Sequence, residues 1–254
     1  MSGASPGPEL AAAPCDFLLN GRVRLVQPDG GYRAAIDPVF LAAITDARDG
    51  DRVLDVGTGT GAAALCLAAR VAGASVVGLE QRADAAAFAR RNVVLNDLVE
   101  RVRVVEGDLL APPPELRPGS FDRVMMNPPY LRADGASPPP DPWKAAANVE
   151  GAARLPDWLR FAEAMLKPRG MVTLVHRADR IDDILDALRG RFGGLVLVPL
   201  WPKAGQEAKR VLVAARKGAR GPARLTAGVT VHGADGAYTV EAERILRGAG
   251  ALAL

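Results

Sequence analysis

Short apolar runs alternate along this chain with longer stretches in which apolar positions recur at the spacing of a helix face. VLDV (53–56), SVVGLE (75–80), VRVVEGD (102–108) and FDRVMM (121–126) read as strands, nearly unbroken as burial on both faces requires. Between them, AAALCLAARVA and ADAAAFARRNVVLNDL carry helical spacing. DWLRFAEAMLK then predicts a helix, MVTLVH a strand, DRIDDILDALRGRF a helix, and LVLVPL and RVLVAA two closing strands. Regular strand–helix alternation predicts an α/β fold, a mostly parallel sheet with helices on both faces. The two closing runs are joined by WPKAGQEAK with no helix between them, so the last strand is expected to run antiparallel to the others.

The flanks read differently. Residues 1–14, rich in Ala, Gly, Ser and Pro, are expected to form a disordered tail, and 15–254 a single domain. Within it, residues 17–35 hold two short extended runs around PDGG, which predicts an N-terminal hairpin turning there. Asp37-Pro38 opens a helix, with Asp37 as its N-cap and Pro38 its first residue. Residues 131–153 form a Pro-rich loop long enough to suggest a lid, with Trp143 and Lys144 available to order over a ligand. Residues 217–254 read as an extension, a small hairpin in VTVHGADGAYTVE and then a short helix.

Composition narrows the class. With 49% hydrophobic and 24% charged residues in 254, the chain carries enough apolar material for a sizeable core. A net charge of +3 permits a polyanionic partner without requiring one. Cys15, Cys66, His176 and His232 stand at no metal-ligand spacing, so no metal is expected. Two lone cysteines, no signal-peptide pattern and no apolar run long enough for a bilayer predict a cytoplasmic protein with no membrane contact. A basic strip between residues 203 and 224 (Lys203, Lys209, Arg210, Arg216, Lys217, Arg220 and Arg224 against Glu207) can follow phosphates.

Chemistry concentrates at two strand ends. Asp55-Val56-Gly57-Thr58-Gly59-Thr60-Gly61 closes the first long strand and opens a helix. Glycines there let the backbone approach a ligand, and the helix start offers unpaired N–H groups. Gly57, Gly59 and Ala62 also satisfy the dinucleotide pattern G-x-G-x-x-A. Asp55 inside the strand, Gly61 and the antiparallel last strand favour S-adenosylmethionine. Glu80 ends the second strand where an acid grips ribose hydroxyls. Asp108 ends the third, placed to reach an adenine amine or to cap a turn.

The fourth strand ends in Asn127-Pro128-Pro129-Tyr130. In a parallel sheet that end borders the ligand crevice. The prolines fix their own φ and hold Asn127 extended. The Asn127 side-chain oxygen with a neighbouring main-chain carbonyl makes two acceptors, suited to a conjugated NH₂ such as that of adenine, cytosine, guanine or glutamine. Tyr130 offers a ring for a flat acceptor to stack on. Transfer of a sulfonium methyl to such an amine needs positioning rather than a strong base or a metal.

With both motifs placed, the chain resembles the class I S-adenosylmethionine-dependent N-methyltransferases that carry NPPY, and most of all the bacterial valine-tRNA adenine-N6 methyltransferases. The resemblance rests on QPDGGYRAAIDPVFLAA, VLDVGTGTGAAAL, MNPPY, PDWLRFAEAMLKPRG and PLWPKAGQEAKRVLVAARKG. It implies a Rossmann-like fold with a seven-stranded, mostly parallel sheet and an antiparallel last strand. It implies methylation of the N6 amine of an adenine beside the anticodon, with tRNA as partner. It places Gly57, Gly59 and Glu80 on the cofactor, Asn127, Pro128 and Tyr130 on the amine, and Arg33 and Asp37 near the methionine end. Leu131 stands where the family often has a second aromatic. The same clamp suits ribosomal RNA amines or a release-factor glutamine, although enzymes of the latter kind carry a helical N-terminal domain and only about fifty residues precede the glycine loop here. A non-catalytic RNA binder is the alternative outside catalysis.

Overall fold

The computed structural model describes residues 14–28, 36–131 and 150–254. Residues 1–13 of the tail, 29–31 of PDGG, Arg33 and the span from 132 to 149 with Trp143 and Lys144 lie outside the described residues.

The main sheet is built from β3 (Arg52–Val56), β4 (Ser75–Glu80), β5 (Val102–Glu106), β6 (Phe121–Met126), β7 (Leu166–Arg177), β8 (Phe192–Trp201) and β9 (Arg210–Lys217). Two short strands, β10 (Arg224–Leu225) and β11 (Val229–Thr230), pair in parallel with β8. The order is β10-β8-β9-β7-β6-β3-β4-β5, with β11 also on β8. As expected, β9 runs antiparallel to both its neighbours, β7 and β8. The sheet has nine strands rather than seven. The extra two come from the extension, whose Val229–Thr230 pairs with β8 instead of folding back on itself. Only its tip closes as a hairpin, through the His232–Tyr238 bridge.

Alternation along the strands divides the core. Val53, Val76, Val102 and Met125 face one layer, formed with α1 (Asp37–Ile44), α2 (Ala62–Arg70) and α6 (Val240–Leu246). Leu54, Val77, Val124 and Met126, one residue along, face α4 (Leu155–Met165) and α5 (Ile181–Leu188). The side-chain period of two therefore yields a three-layer α/β/α sandwich with both faces of β3 and β6 dry.

A separate hairpin, β1 (Cys15–Leu18) and β2 (Val23–Val26), precedes the sheet. It turns at Leu19–Arg22, not at PDGG: Leu18 pairs with Val23, and Leu19, Asn20 and Gly21 all have positive φ. Asn-Gly tolerates that geometry as readily as Asp-Gly, and here it lies between the runs that pair. Helix α3 (Ala83–Leu95) and its C-cap then grip β2 through two asparagines four residues apart. Asn92 exchanges hydrogen bonds with the Val26 N–H and carbonyl at 2.8 and 2.9 Å, and Asn96 with those of Arg24 at 2.8 and 2.7 Å. Amide side chains thus take the place of a partner strand. Asn92 also donates to the Thr60 carbonyl at 2.9 Å, fastening the hairpin to the glycine loop.

Candidate active site

Strands β3 and β6 are neighbours, with Val56 opposite Met126. The glycine loop and Asn127 therefore leave the sheet side by side, at strand spacing of about 5 Å. They border one cavity of about 380 Å³, lined by Gly57–Thr60, Glu80, Asp108, Asn127, Pro129, Tyr130 and Trp158 among others. A volume of this size suits a nucleoside-sized ligand.

The loop is held from below. Gly57 and Thr58 donate to the Leu79 carbonyl at 2.8 and 3.0 Å. Gly61 takes the left-handed conformation, φ +90°, as the N-cap of α2. Asp55 points into the α2 side of the sheet, where the Thr58 hydroxyl donates to it at 2.6 Å and the Ala64 amide also contributes. It anchors the loop and the first turn of α2 and also lines the cavity. Burial pushes its carboxyl up to about 7. The protonated form is thus favoured by folding. Its stabilisation is full below the ordinary value of 3.8 and lost as pH rises through about 7. Relative to Asp55→Asn, the wild type should lose about 2–3 kcal/mol between pH 5 and pH 8. Urea unfolding of both at the two pH values measures it; a constant difference contradicts it.

Glu80 is nearly buried at the end of β4, 8% exposed. Its two oxygens accept from the Gly59 and Arg82 amides at 2.8 and 2.9 Å, leaving lone pairs toward the cavity it lines. Burial raises its pKa, against the lowering effect of those amides. Asp108 accepts from the Leu110 amide at 2.9 Å, closing a turn, and also lines the cavity. Gln81 donates to its other oxygen at 3.0 Å.

Asn127 Oδ1 is buried and has no hydrogen-bond partner among the described residues. A buried acceptor left alone costs about 1–3 kcal/mol, a cost that a donor on a ligand would relieve. Tyr130 lines the cavity and is held by contacts distant in sequence. Its hydroxyl donates to Asp37 Oδ2 at 2.7 Å, and the Arg210 guanidinium lies 4.5 Å from its ring centroid. Arg210 thus covers one face of the ring, and His176 packs edge-wise at 5.3 Å between centroids. Asp37 is the first residue of α1, not its N-cap: Ile36 holds that position and no side chain caps the helix. The long-range bond to Tyr130 takes the carboxylate that the local reading assigned to the helix start.

Sequence reasoning missed Trp158. It looks like an ordinary apolar position of α4, yet a Cβ on Gly57 (φ +67°) would sit 2.5 Å from its Cη2. Gly57→Ala must displace the indole and strain the backbone together, costing about 1–3 kcal/mol of stability. An unchanged melting temperature in that variant would show that the indole yields freely.

The basic strip is divided by register. Leu200 lies opposite Arg210 at the site edge of the sheet, and Phe192 opposite Lys217 at the far edge, on the order of 20 Å away. At the far edge Lys217 donates to the Glu163 and Leu166 carbonyls and Arg216 to that of Arg169. Lys203 and Lys209, in the β8–β9 turn, are the members that share the site's edge with Arg210. Among the described residues no group of His, Cys, Asp and Glu can hold a metal, and no helix is long and apolar enough to cross a membrane.

A glycine loop and an Asn-Pro-Pro-Tyr clamp at adjacent strand ends of a sheet with this order define a Rossmann-like methyltransferase. The methyltransferase small domain model matches residues 36–139. A tRNA1(Val) (adenine(37)-N6)-methyltransferase of Aeromonas salmonicida is 30% identical over 211 residues, covering 82% of this chain and 85% of that protein. A release factor glutamine methyltransferase of Chlorobaculum tepidum is 42% identical, but over 45% of this chain and 40% of its own length. A crystal structure described as a predicted O-methyltransferase from Agrobacterium tumefaciens superimposes with a TM-score of 0.73 at 30% identity, covering 86% of this chain and 99% of that one. The chain belongs to the tRNA1(Val) (adenine(37)-N6)-methyltransferase family.

Proposed function

We propose that the protein transfers a methyl group from S-adenosylmethionine to the exocyclic N6 amine of an adenine in tRNA, the one beside the anticodon of valine tRNA. The observation that carries this is the buried, partnerless Asn127 Oδ1, set by two prolines at the border of the cavity that the glycine loop and Glu80 also line. S-Adenosylmethionine, when bound, supplies an electrophilic sulfonium methyl. The donor set fits that molecule: the glycine loop for close backbone approach, Glu80 for ribose hydroxyls, and Asp108 beside the base.

The chain's own work is orientation. Asn127 Oδ1 and the Pro128 carbonyl accept the two hydrogens of the amine. Holding them turns the nitrogen lone pair toward the methyl carbon and raises its electron density. The prolines contribute no N–H that competes for the amine and little freedom to drift. With the methyl donor bound, transfer would release the neutral thioether S-adenosylhomocysteine, and the proton lost from the methylated amine would pass to water. Proximity and alignment account for the rate, so no base need stand in the clamp.

An adenine acceptor is favoured over glutamine because likeness to the tRNA-modifying relatives extends along most of both chains, whereas likeness to the release factor enzyme spans less than half of either. Lys203 and Lys209 at the site edge are placed to meet backbone phosphate. A cytoplasmic location follows from that partner. The test is a competition: the protein with methyl-labelled S-adenosylmethionine and equal pools of unmodified tRNA, ribosomal RNA and release factor. Label in tRNA as N6-methyladenosine is expected. Label in methylglutamine would overturn the acceptor.

A further inference from the structure

We propose that Arg210 is a positioning residue for the amine clamp, acting on Tyr130 both directly, over its ring, and through Asp37. The inference rests on the reading of Asn127–Tyr130 as that clamp.

Tyr130 is held at three points. Its hydroxyl donates to Asp37 Oδ2 at 2.7 Å, its carbonyl accepts from Arg180 Nη1 at 3.1 Å, and its ring lies under the Arg210 guanidinium. Arg210 Nε donates to the same Oδ2 at 3.0 Å. One carboxylate oxygen is therefore shared between the motif's last residue and an arginine from the antiparallel strand. The pair is sheltered, with Arg210 and Asp37 side chains 31% and 10% exposed. Burial works against the Arg210 charge, yet Asp37 and Tyr130 outweigh it and raise its pKa. Arg180 reaches on to Glu150 at 3.0 Å, and the Glu150 amide donates to the Leu131 carbonyl at 2.8 Å. His176, behind the ring, is pushed down to about 4 by burial and by the Arg180 and Arg210 charges, and stays neutral.

The prolines make this grip matter. Pro128 and Pro129 have no free φ, so a tilt of Tyr130 carries back toward Asn127 rather than dissipating. A guanidinium provides both things required here, a directed N–H and a flat face for the ring. Neither contact lies in the cavity itself, as Arg210 and Asp37 do not line it. The expected signature is a loss of turnover without a loss of cofactor affinity.

Arg210→Gln should lower kcat on the order of 10²-fold, the cost of a misplaced reacting pair, while cofactor Kd changes little. Arg210→Lys should recover part of kcat, keeping the charge toward Asp37 but losing the planar cover. Asp37→Asn added to Arg210→Gln should cost less than the sum of the two single losses, since both residues meet at one Asp37 oxygen. Wild-type kcat in Arg210→Gln, or fully additive losses, would overturn the proposal. A readout free of any acceptor runs beside it. The chain has three tyrosines, so ring-¹³C-tyrosine protein gives few resonances, and Tyr130→Phe assigns its own. The Tyr130 signal should move in Arg210→Gln; an unmoved signal overturns the proposal. A wild type that methylates no RNA adenine would instead overturn the proposed function, with the tyrosine spectrum still deciding the role of Arg210.

Discussion

Asn127→Ala should leave cofactor binding intact and lower kcat by about 10²–10³-fold, the usual cost of removing one preorganised polar contact to the reacting group. The native oxygen has no other work: it is buried and unpartnered among the described residues. Its removal therefore breaks no internal hydrogen bond and relieves an unsatisfied acceptor, so the melting temperature should hold or rise. That combination separates a functional oxygen from a structural one. Single-turnover transfer and titration calorimetry with S-adenosylmethionine measure the two halves. Retained turnover would remove Asn127 from the clamp. A comparable loss of cofactor affinity would move it to the cofactor side.

Glu80→Ala should do the opposite, weakening cofactor binding by about 10²–10⁴-fold with a smaller effect on kcat at saturation. Two hydrogen bonds from ribose hydroxyls to a buried carboxylate are each worth about 1.5–3 kcal/mol. The same carboxylate accepts from the Gly59 amide at 2.8 Å, so its loss also frees the loop. Glu80→Gln keeps one acceptor and the bulk of the side chain, and should fall between. Calorimetry decides: a dissociation constant within about threefold of wild type would mean that the acid is only a brace for the loop.

Much of this was legible in the chain, for identifiable reasons. A parallel sheet covered on both sides demands apolar runs, so β3, β4 and β6 announced themselves, β4 and β6 at their observed limits. Gly57, Gly59 and Gly61 were legible because positive φ and close approach leave few other residues acceptable. What escaped depends on distance in sequence. Asp37 lies 93 residues from Tyr130, and a local reading could only offer it the helix start. The basic strip was counted along the chain, while strand register carries its halves to opposite edges. Strands β10 and β11 are two residues each, too short to leave a periodic trace. Trp158 was hidden because its apolar spacing fits α4 equally well whether it packs on core or on the glycine loop.

The central claim is that this cavity presents one RNA adenine amine to a bound methyl donor. Its most direct test is nucleoside mass spectrometry on an unmodified valine tRNA transcript incubated with the full chain and S-adenosylmethionine. The account predicts N6-methyladenosine at the adenine beside the anticodon, and none in a transcript carrying guanine there. Methylation that persists in the altered transcript, or that appears only on a protein glutamine, would contradict it.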